Sequence, residues 1–416
     1  MTLSITALGI PAHLQQFEPT HLAALKRLAT VNPFRYAKNR NALDGEVTGL
    51  SPYFTHGMLS MAEAARDINT RLPLGFGDKL VFEFGWREFF QHVWGHQKNP
   101  DAIMQDMHGQ PPWQGRYASV LPDDIRQGCT GVPAIDNAVR VLYATGYLHN
   151  HARMWLASYV VHVRKVHWRA GADWLFGHLL DGDLPSNHLS WQWVAATFSS
   201  KPYLFNAENV LKYAPVAARQ AWNCSGTVID QSYESLEAMA RQQGGTGPER
   251  GTHEKVAEPP LLSHFYPSNW PVDQSIQAQA AINNIANKKL ELMHPWSLSQ
   301  RGNDIAVRES LRIGIIHLPA HAQWPWSERR WQFVMQAMAQ VTDHIWIGDV
   351  AQLDTSGASS VTVQATLFPG YRQALPKVAV LRPAPRLLPN PSMACKSFSK
   401  FYERARRDVG QFADLL

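Results

Sequence analysis

The stretch Leu179–Trp193, LLDGDLPSNHLSWQW, places two carboxylates at i and i+2 (Asp181, Asp183). Asn187 follows, then two tryptophans flanking Gln192 (Trp191, Trp193). Taken alone it reads as a helix C-terminus, a polar turn and two core tryptophans. Its neighbours decide the matter. From about Leu22 to Trp222 the helical period dominates. In Pro133–Gly146 the apolar set Ile135, Val139, Leu142 and Tyr143 shares one face, with Gly146 placed to end the helix. Arg153–Lys165 continues with Trp155, Leu156, Tyr159 and Val160, and Asp173–Leu180 follows. Residues 1–222 are expected to form an all-helical domain.

After Asn223 the composition changes. Gly244-Gly245-Thr246-Gly247-Pro248, Gly251 and Pro259-Pro260 read as a mobile linker within 223–300. A glycine cluster can also cradle phosphate, but this one follows no strand and lacks the P-loop lysine. Over 301–416 the period switches. Arg312–Leu318, His344–Gly348, Ser360–Phe368 and Lys377–Arg382 read as strands, and Ser327–Gln340 as a helix. A small α/β domain is expected there, closed by a final helix over Phe398–Leu416.

Length and composition bound the rest. The 416 residues are 45% apolar and 18% charged, a globular balance that excludes whole-chain disorder, collagen and coiled coil. Three cysteines (Cys129, Cys224, Cys395) without metal-ligand spacing exclude a disulfide scaffold, a zinc module and an all-cysteine iron cluster. The net charge of +5 is a mild bias toward polyanions. Arg35, Lys38 and Arg40 form one acid-free basic cluster, and Arg153, Arg164, Lys165 and Arg169 another. Either would neutralise phosphates, although most such runs are merely solvated. Fifteen tryptophans exceed what a core of this length needs, which suggests stacking or electron transfer. No apolar stretch long enough for a membrane span occurs, and the start lacks a secretory n-region, so a cytoplasmic protein is expected.

Five blocks, in order, carry a resemblance: Val47–Ser60 (VTGLSPYFTHGMLS), Val81–Phe90 (VFEFGWREFF), Thr130–Arg153, Leu179–Trp193 and Lys201–Pro215. Together they resemble the FAD-binding helical domain of the DNA photolyase and cryptochrome family, over roughly residues 25–215. The resemblance implies a mainly α fold, an all-helical FAD domain followed by a linker and the small α/β domain. It implies a short photolyase-like branch lacking the N-terminal antenna domain; whether an antenna pigment binds stays open. FAD, reduced in the active form, would be held by Tyr36, Thr48, Gly49, Leu50, Ser51, Arg87, Asn150, Arg153, Asp181, Gly182, Asp183 and Asn187. Residues 48–51 offer hydroxyls and N–H groups just before a helix, suited to phosphate. Arg153 and Asp181 would form the ion pair beside the isoalloxazine.

Asn187 matches the position facing flavin N5. Photolyases typically carry asparagine there, and plant and animal cryptochromes carry aspartate and cysteine. A neutral amide does not titrate. A capping asparagine is the plain alternative. Glu83 with Trp86, Met154 and Trp193 resembles the cavity of enzymes acting on cyclobutane pyrimidine dimers, two indoles stacking on a flipped base. Packing alone is the other reading, with Glu83 paired to Arg87. Trp191 and Trp168 match the inner members of the family's tryptophan electron chain, with Trp113 as the outer candidate. His151 and Arg40 are candidate DNA contacts, although His151 replaces the family's arginine. The resemblance implies light-driven repair of UV-damaged DNA, and a monomer is expected. The alternatives are a cryptochrome-like blue-light photoreceptor without repair, or a flavoprotein without photochemistry.

Overall fold

The structure is a computed structural model that describes residues 5–97, 99, 101–247, 253–267, 274–285, 288–302 and 310–416. Pro248 and Gly251 of the glycine-rich cluster lie outside the described residues. The chain divides into two compact units, each assembled from separate pieces. One comprises Met1–Phe17, Phe34–Gly49 and Gln97–Pro260, the other Glu18–Pro33, Leu50–His96 and Leu261–Leu416.

The first unit is helical. Pro133 starts the Pro133–Thr145 helix, where its missing N–H costs nothing, and Gly146 ends it at φ +68°, its N–H donating to the Leu142 carbonyl. Asn150–Ser158 runs into a π-helical turn, Tyr159–Val163; Trp168–His178 and Leu184–Ala195 follow. Val139, Leu142, Trp155, Tyr159, Trp174, Trp191 and Trp222 lie in one core cluster. Packing accounts for much of the tryptophan count. Of the fourteen tryptophans among the described residues, ten are buried, in cores of both units.

The stretch expected to be a mobile linker is instead pinned to this unit. The Tyr233–Arg241 helix buries Leu236 and Ala240, and Lys165 Nζ donates to the Met239 and Ala240 carbonyls that end it (2.9 and 2.7 Å). Glu258 accepts from Arg126 Nη1 (2.8 Å) and Trp174 Nε1 (3.0 Å). These anchors lie on either side of the glycine cluster, at Met239, Ala240 and Glu258.

The second unit holds a strand pair, β1 (Leu261–Leu262) with β4 (Trp326–Ser327), and a parallel sheet. The sheet comprises β2 (Lys289–Met293), β3 (Leu311–His317), β5 (His344–Gly348), β6 (Ser360–Gln364) and β7 (Val380–Arg382), in the order β5-β3-β2-β6-β7. The Glu328–Val341 helix lies between β3 and β5 as expected, and β4, which no reading foresaw, leads into it. The chain winds outward from β2 to one edge, then returns to build the other, as in doubly wound folds. At the switch point Trp296, after β2, stacks on Phe368, after β6, at 4.1 Å. The protein's own rings fill that crevice.

Two boundaries differ from the sequence expectation. The central strand β2 lies inside the segment read as linker, and the Lys79–Gly95 helix belongs to the sheet-bearing unit. Trp86 stacks on Phe398 at 4.2 Å, and Phe82 on Tyr402 at 4.7 Å. Buried Glu88 accepts from the Leu387 and Leu388 N–H groups (2.6 and 2.9 Å), with Arg386 3.6 Å away. His92 accepts the Cys395 N–H on Nε2 (3.0 Å), so Nδ1 is the protonated nitrogen that donates to Asn390 (2.8 Å). The closing helix is Phe398–Ala405 only; Gly410 follows, and a 3-10 turn spans Phe412–Leu415. No helix among the described residues is long and apolar enough to cross a membrane. Glu88→Ala leaves two buried N–H groups and Arg386 without their acceptor. It should destabilise the fold by about 3 kcal/mol in denaturant unfolding.

Candidate functional site

The Leu179–Asp183 turn joins two helices and gives its two carboxylates different tasks. Asp183 is the N-cap of Leu184–Ala195, its side chain accepting from the Ser186 N–H (3.2 Å) and Oγ (2.5 Å). Asp181, 6% exposed, takes Arg153 Nη2 on both oxygens at 2.9 and 2.8 Å. Arg153 Nε donates to the Leu148 carbonyl (2.7 Å), and the guanidinium lies 5.5 Å from the Tyr147 ring centroid. The guanidinium is thus fixed in plane by a carboxylate and a carbonyl.

Asn187 is not a cap, since Asp183 fills that position. One turn into the helix, its Nδ2 donates to the Ala172 carbonyl of the neighbouring helix (2.8 Å), which leaves the side-chain oxygen as the group it can offer a ligand. Gly182 sits between the carboxylates. Trp191 and Trp168 are both 2% exposed. Trp191 lies against the backbone at Gly171, where a Cβ would collide with the ring. Asn150 Nδ2 reaches Met154 Sδ (3.5 Å), and Trp193 is 37% exposed with Tyr203 6.0 Å away. Trp113 is half-buried, its ring 4.8 Å from Tyr117.

Burial makes two histidines here weak bases. Burial first, then the Arg40 charge, lowers the His151 pKa to about 4, and its ring packs on Tyr213 at 4.4 Å. Where the family carries an arginine, His151 is thus a weak base packed on an aromatic ring. Burial lowers His149 to about 3, and its Nδ1 caps the Asn150–Ser158 helix by accepting the His151 N–H.

The basic clusters also change meaning. In the second, three members are spent internally, Arg153 on Asp181, Arg164 on Asp124 (2.5 Å) and Lys165 on the helix carbonyls, while Arg169 makes an exposed contact with Asp173 (3.4 Å). In the first, Arg35 pairs with Glu46 at 3.6 Å, an exposed contact that a stronger anion can displace. Arg40 donates to the Ala37 carbonyl (3.2 Å). Tyr36 is half-buried on the Pro33–Asn39 helix, and Thr48 and Gly49 (φ +60°) end the first unit's second segment.

Leu50, Ser51, Glu83, Trp86 and Arg87 belong to the second unit. The helix after Leu50, Ser51–Thr55, is only five residues long, so its dipole is weaker than expected. Glu83 is exposed on the Lys79–Gly95 helix, and Arg87 Nη2 donates to Thr55 Oγ1 (3.1 Å). Trp86 has one face covered by Phe398, so it offers at most one face to a base.

Sequence reasoning missed Gln192 and Asp106. Fully buried Gln192 binds the 103–107 loop through both ends of its amide, and Asp106 accepts from Trp168 Nε1 at 2.6 Å. The only signal for Gln192 was a polar residue between two tryptophans; Asp106 gave none.

Residues 80–286 match the family described as the FAD binding domain of DNA photolyase. The deoxyribodipyrimidine photo-lyase of Neurospora crassa is 32% identical over 52% of this chain and 35% of its own length. That of Thermus thermophilus is 37% identical over 42% of each. The solved structure of a Synechocystis cryptochrome matches 55% of this chain and 52% of its own at 23% identity, with a TM-score of 0.44. The chain belongs to the DNA photolyase and cryptochrome family. Its similarity spans about a third to a half of the curated relatives' length.

The donor set fits a flavin: a charge-paired arginine, a buried carboxylate and a non-titrating amide on adjoining turns of one unit. Arg153→Lys keeps the charge but loses the planar fork. It should lower retained FAD about tenfold, read from flavin absorbance per chain after gel filtration. In DNA-binding titrations against salt, Arg40→Ala should reduce the log–log slope by about one, and His151→Ala should leave it unchanged.

Proposed function

We propose that this protein repairs cyclobutane pyrimidine dimers in UV-damaged DNA by light, using reduced FAD. The observation that carries the reading is the Arg153–Asp181 pair with Asn187 one helical turn past the Asp183 cap. When bound, reduced FAD supplies the photoexcited electron that splits the dimer and is then recovered, with no net redox change.

The chain's own residues orient and insulate. Arg153, fixed by Asp181 and Leu148, presents one guanidinium edge in a set plane. Asn187 accepts a hydrogen bond through an oxygen whose amide cannot supply a proton, which favours repair over a signalling radical. Trp193 has an exposed face on which a flipped base stacks, worth about 1–3 kcal/mol. Met154 adds an adaptable apolar wall. On the Lys79–Gly95 helix of the other unit, the family resemblance assigns Glu83 to hydrogen-bonding base edges and Trp86 to stacking. DNA reaches the site through phosphate contacts at Arg40 and its basic neighbours.

The test is an anaerobic blue-light assay of the reduced, FAD-loaded protein on a thymine-dimer oligonucleotide. Restored thymines are expected. Glu83→Ala should lower the yield several-fold, by loss of about one hydrogen bond to a charged group, with FAD content intact. Bound FAD that photoreduces yet restores no thymine would replace this reading with the photoreceptor.

A further inference from the structure

Trp168, a member of the expected electron chain, has a carboxylate on its indole nitrogen: Nε1 donates to Asp106 Oδ1 at 2.6 Å. The surrounding fold holds this contact in place. Gln192 Nε2 donates to the Ile103 and Gln105 carbonyls (2.9 and 3.0 Å), and its Oε1 accepts the Met107 N–H (3.0 Å), so the loop carrying Asp106 is held from both sides. His167 caps the Trp168–His178 helix by accepting the Arg169 N–H on Nδ1 (3.2 Å). Its protonated Nε2 is therefore the nitrogen 3.9 Å from the same Asp106 oxygen. Asp106 is 46% exposed, so a proton it receives can pass to water.

Trp113 has the opposite surroundings. Lys165 Nζ lies 5.9 Å from its ring centroid. A cation over an indole stabilises the electron-rich ring and opposes its oxidation, whereas a carboxylate on the N–H favours oxidation.

We propose that Asp106 accepts the indole proton of Trp168 when that ring loses an electron, and that the electron vacancy comes to rest on Trp168 instead of Trp113. The inference rests on the light-driven flavin reading above. The oxidant is photoexcited oxidised flavin, which takes one electron from Trp191. One electron from Trp168 restores Trp191. The Trp168 N–H bond then breaks, its electron pair stays on nitrogen, and the proton forms an O–H bond on Asp106. A neutral indolyl radical and a neutral carboxylic acid remain, so the pair changes from one negative charge to none as one electron leaves.

The test uses the full FAD-loaded chain, with one readout in the dark and one in light. In the dark, the Trp168 indole N–H proton resonance should lie downfield and return upfield in Asp106→Asn; a resonance that does not move overturns the contact. In light, transient absorption should show a neutral indolyl radical in the unaltered protein. In Asp106→Asn a radical cation should appear instead, recombining about tenfold faster for want of a charge-assisted hydrogen bond. Asp106→Glu should restore the neutral radical, which separates proton acceptance from a general loss of fold. Trp113→Phe should leave the long-lived radical unchanged. Loss of that radical in Trp113→Phe, or an unaltered radical in Asp106→Asn, overturns this proposal alone. Absence of any tryptophan radical in the unaltered protein overturns it together with the electron chain it rests on.

Discussion

The two carboxylates of the Leu179–Asp183 turn are only two residues apart, yet they act on different structures. Asp183 satisfies the first N–H groups of the Leu184–Ala195 helix and so fixes where that helix starts. Asp181 binds Arg153 and ties the turn to the Asn150–Ser158 helix. Because the helix start is fixed, Asn187, Trp191 and Gln192 project at set positions along it. A turn that slid by one residue would move all three off their partners at Ala172, Gly171 and the 103–107 loop.

Burial decides which charges remain available. Arg164 and Lys165 are nearly adjacent to candidate site residues, but each is bound to an internal acceptor. His149 and His151 become weak bases through desolvation. A similar logic holds in the sheet-bearing unit. There Glu291 on β2 is buried between Arg312 Nε (2.6 Å) and Arg382 Nη2, linking β2 to β3 and to the edge strand β7. Glu88 fixes the returning C-terminal segment by the same device, with burial raising its carboxyl pKa against the pull of Arg386.

Much of the local structure was legible because it follows from short-range rules. Pro133 and Gly146 bracket a helix, β3 and β5 carry the apolar runs Ile313–Ile316 and Ile345–Ile347, and Glu328–Val341 shows the helical period. The strand β2, KLELM, was not legible, because charged residues at Lys289 and Glu291 interrupt its apolar pattern and Glu291 finds its partners on other strands. The anchoring of Met239, Ala240 and Glu258 was not legible, because their partners Lys165, Arg126 and Trp174 are distant in sequence.

The sequence by itself determined the family, the helical character of the flavin-binding segment, the doubly acidic turn and the alternation of strands and helix near the C-terminus. These depend on residue type and spacing within one or two turns. Only the tertiary structure decided how the chain divides, which tryptophans are core, which basic residues are spent, and that Asp106 meets Trp168. Those outcomes depend on contacts between residues tens to hundreds of positions apart. Desolvation and hydrogen-bond satisfaction at such contacts are properties of the packed chain, with no local signature in the sequence.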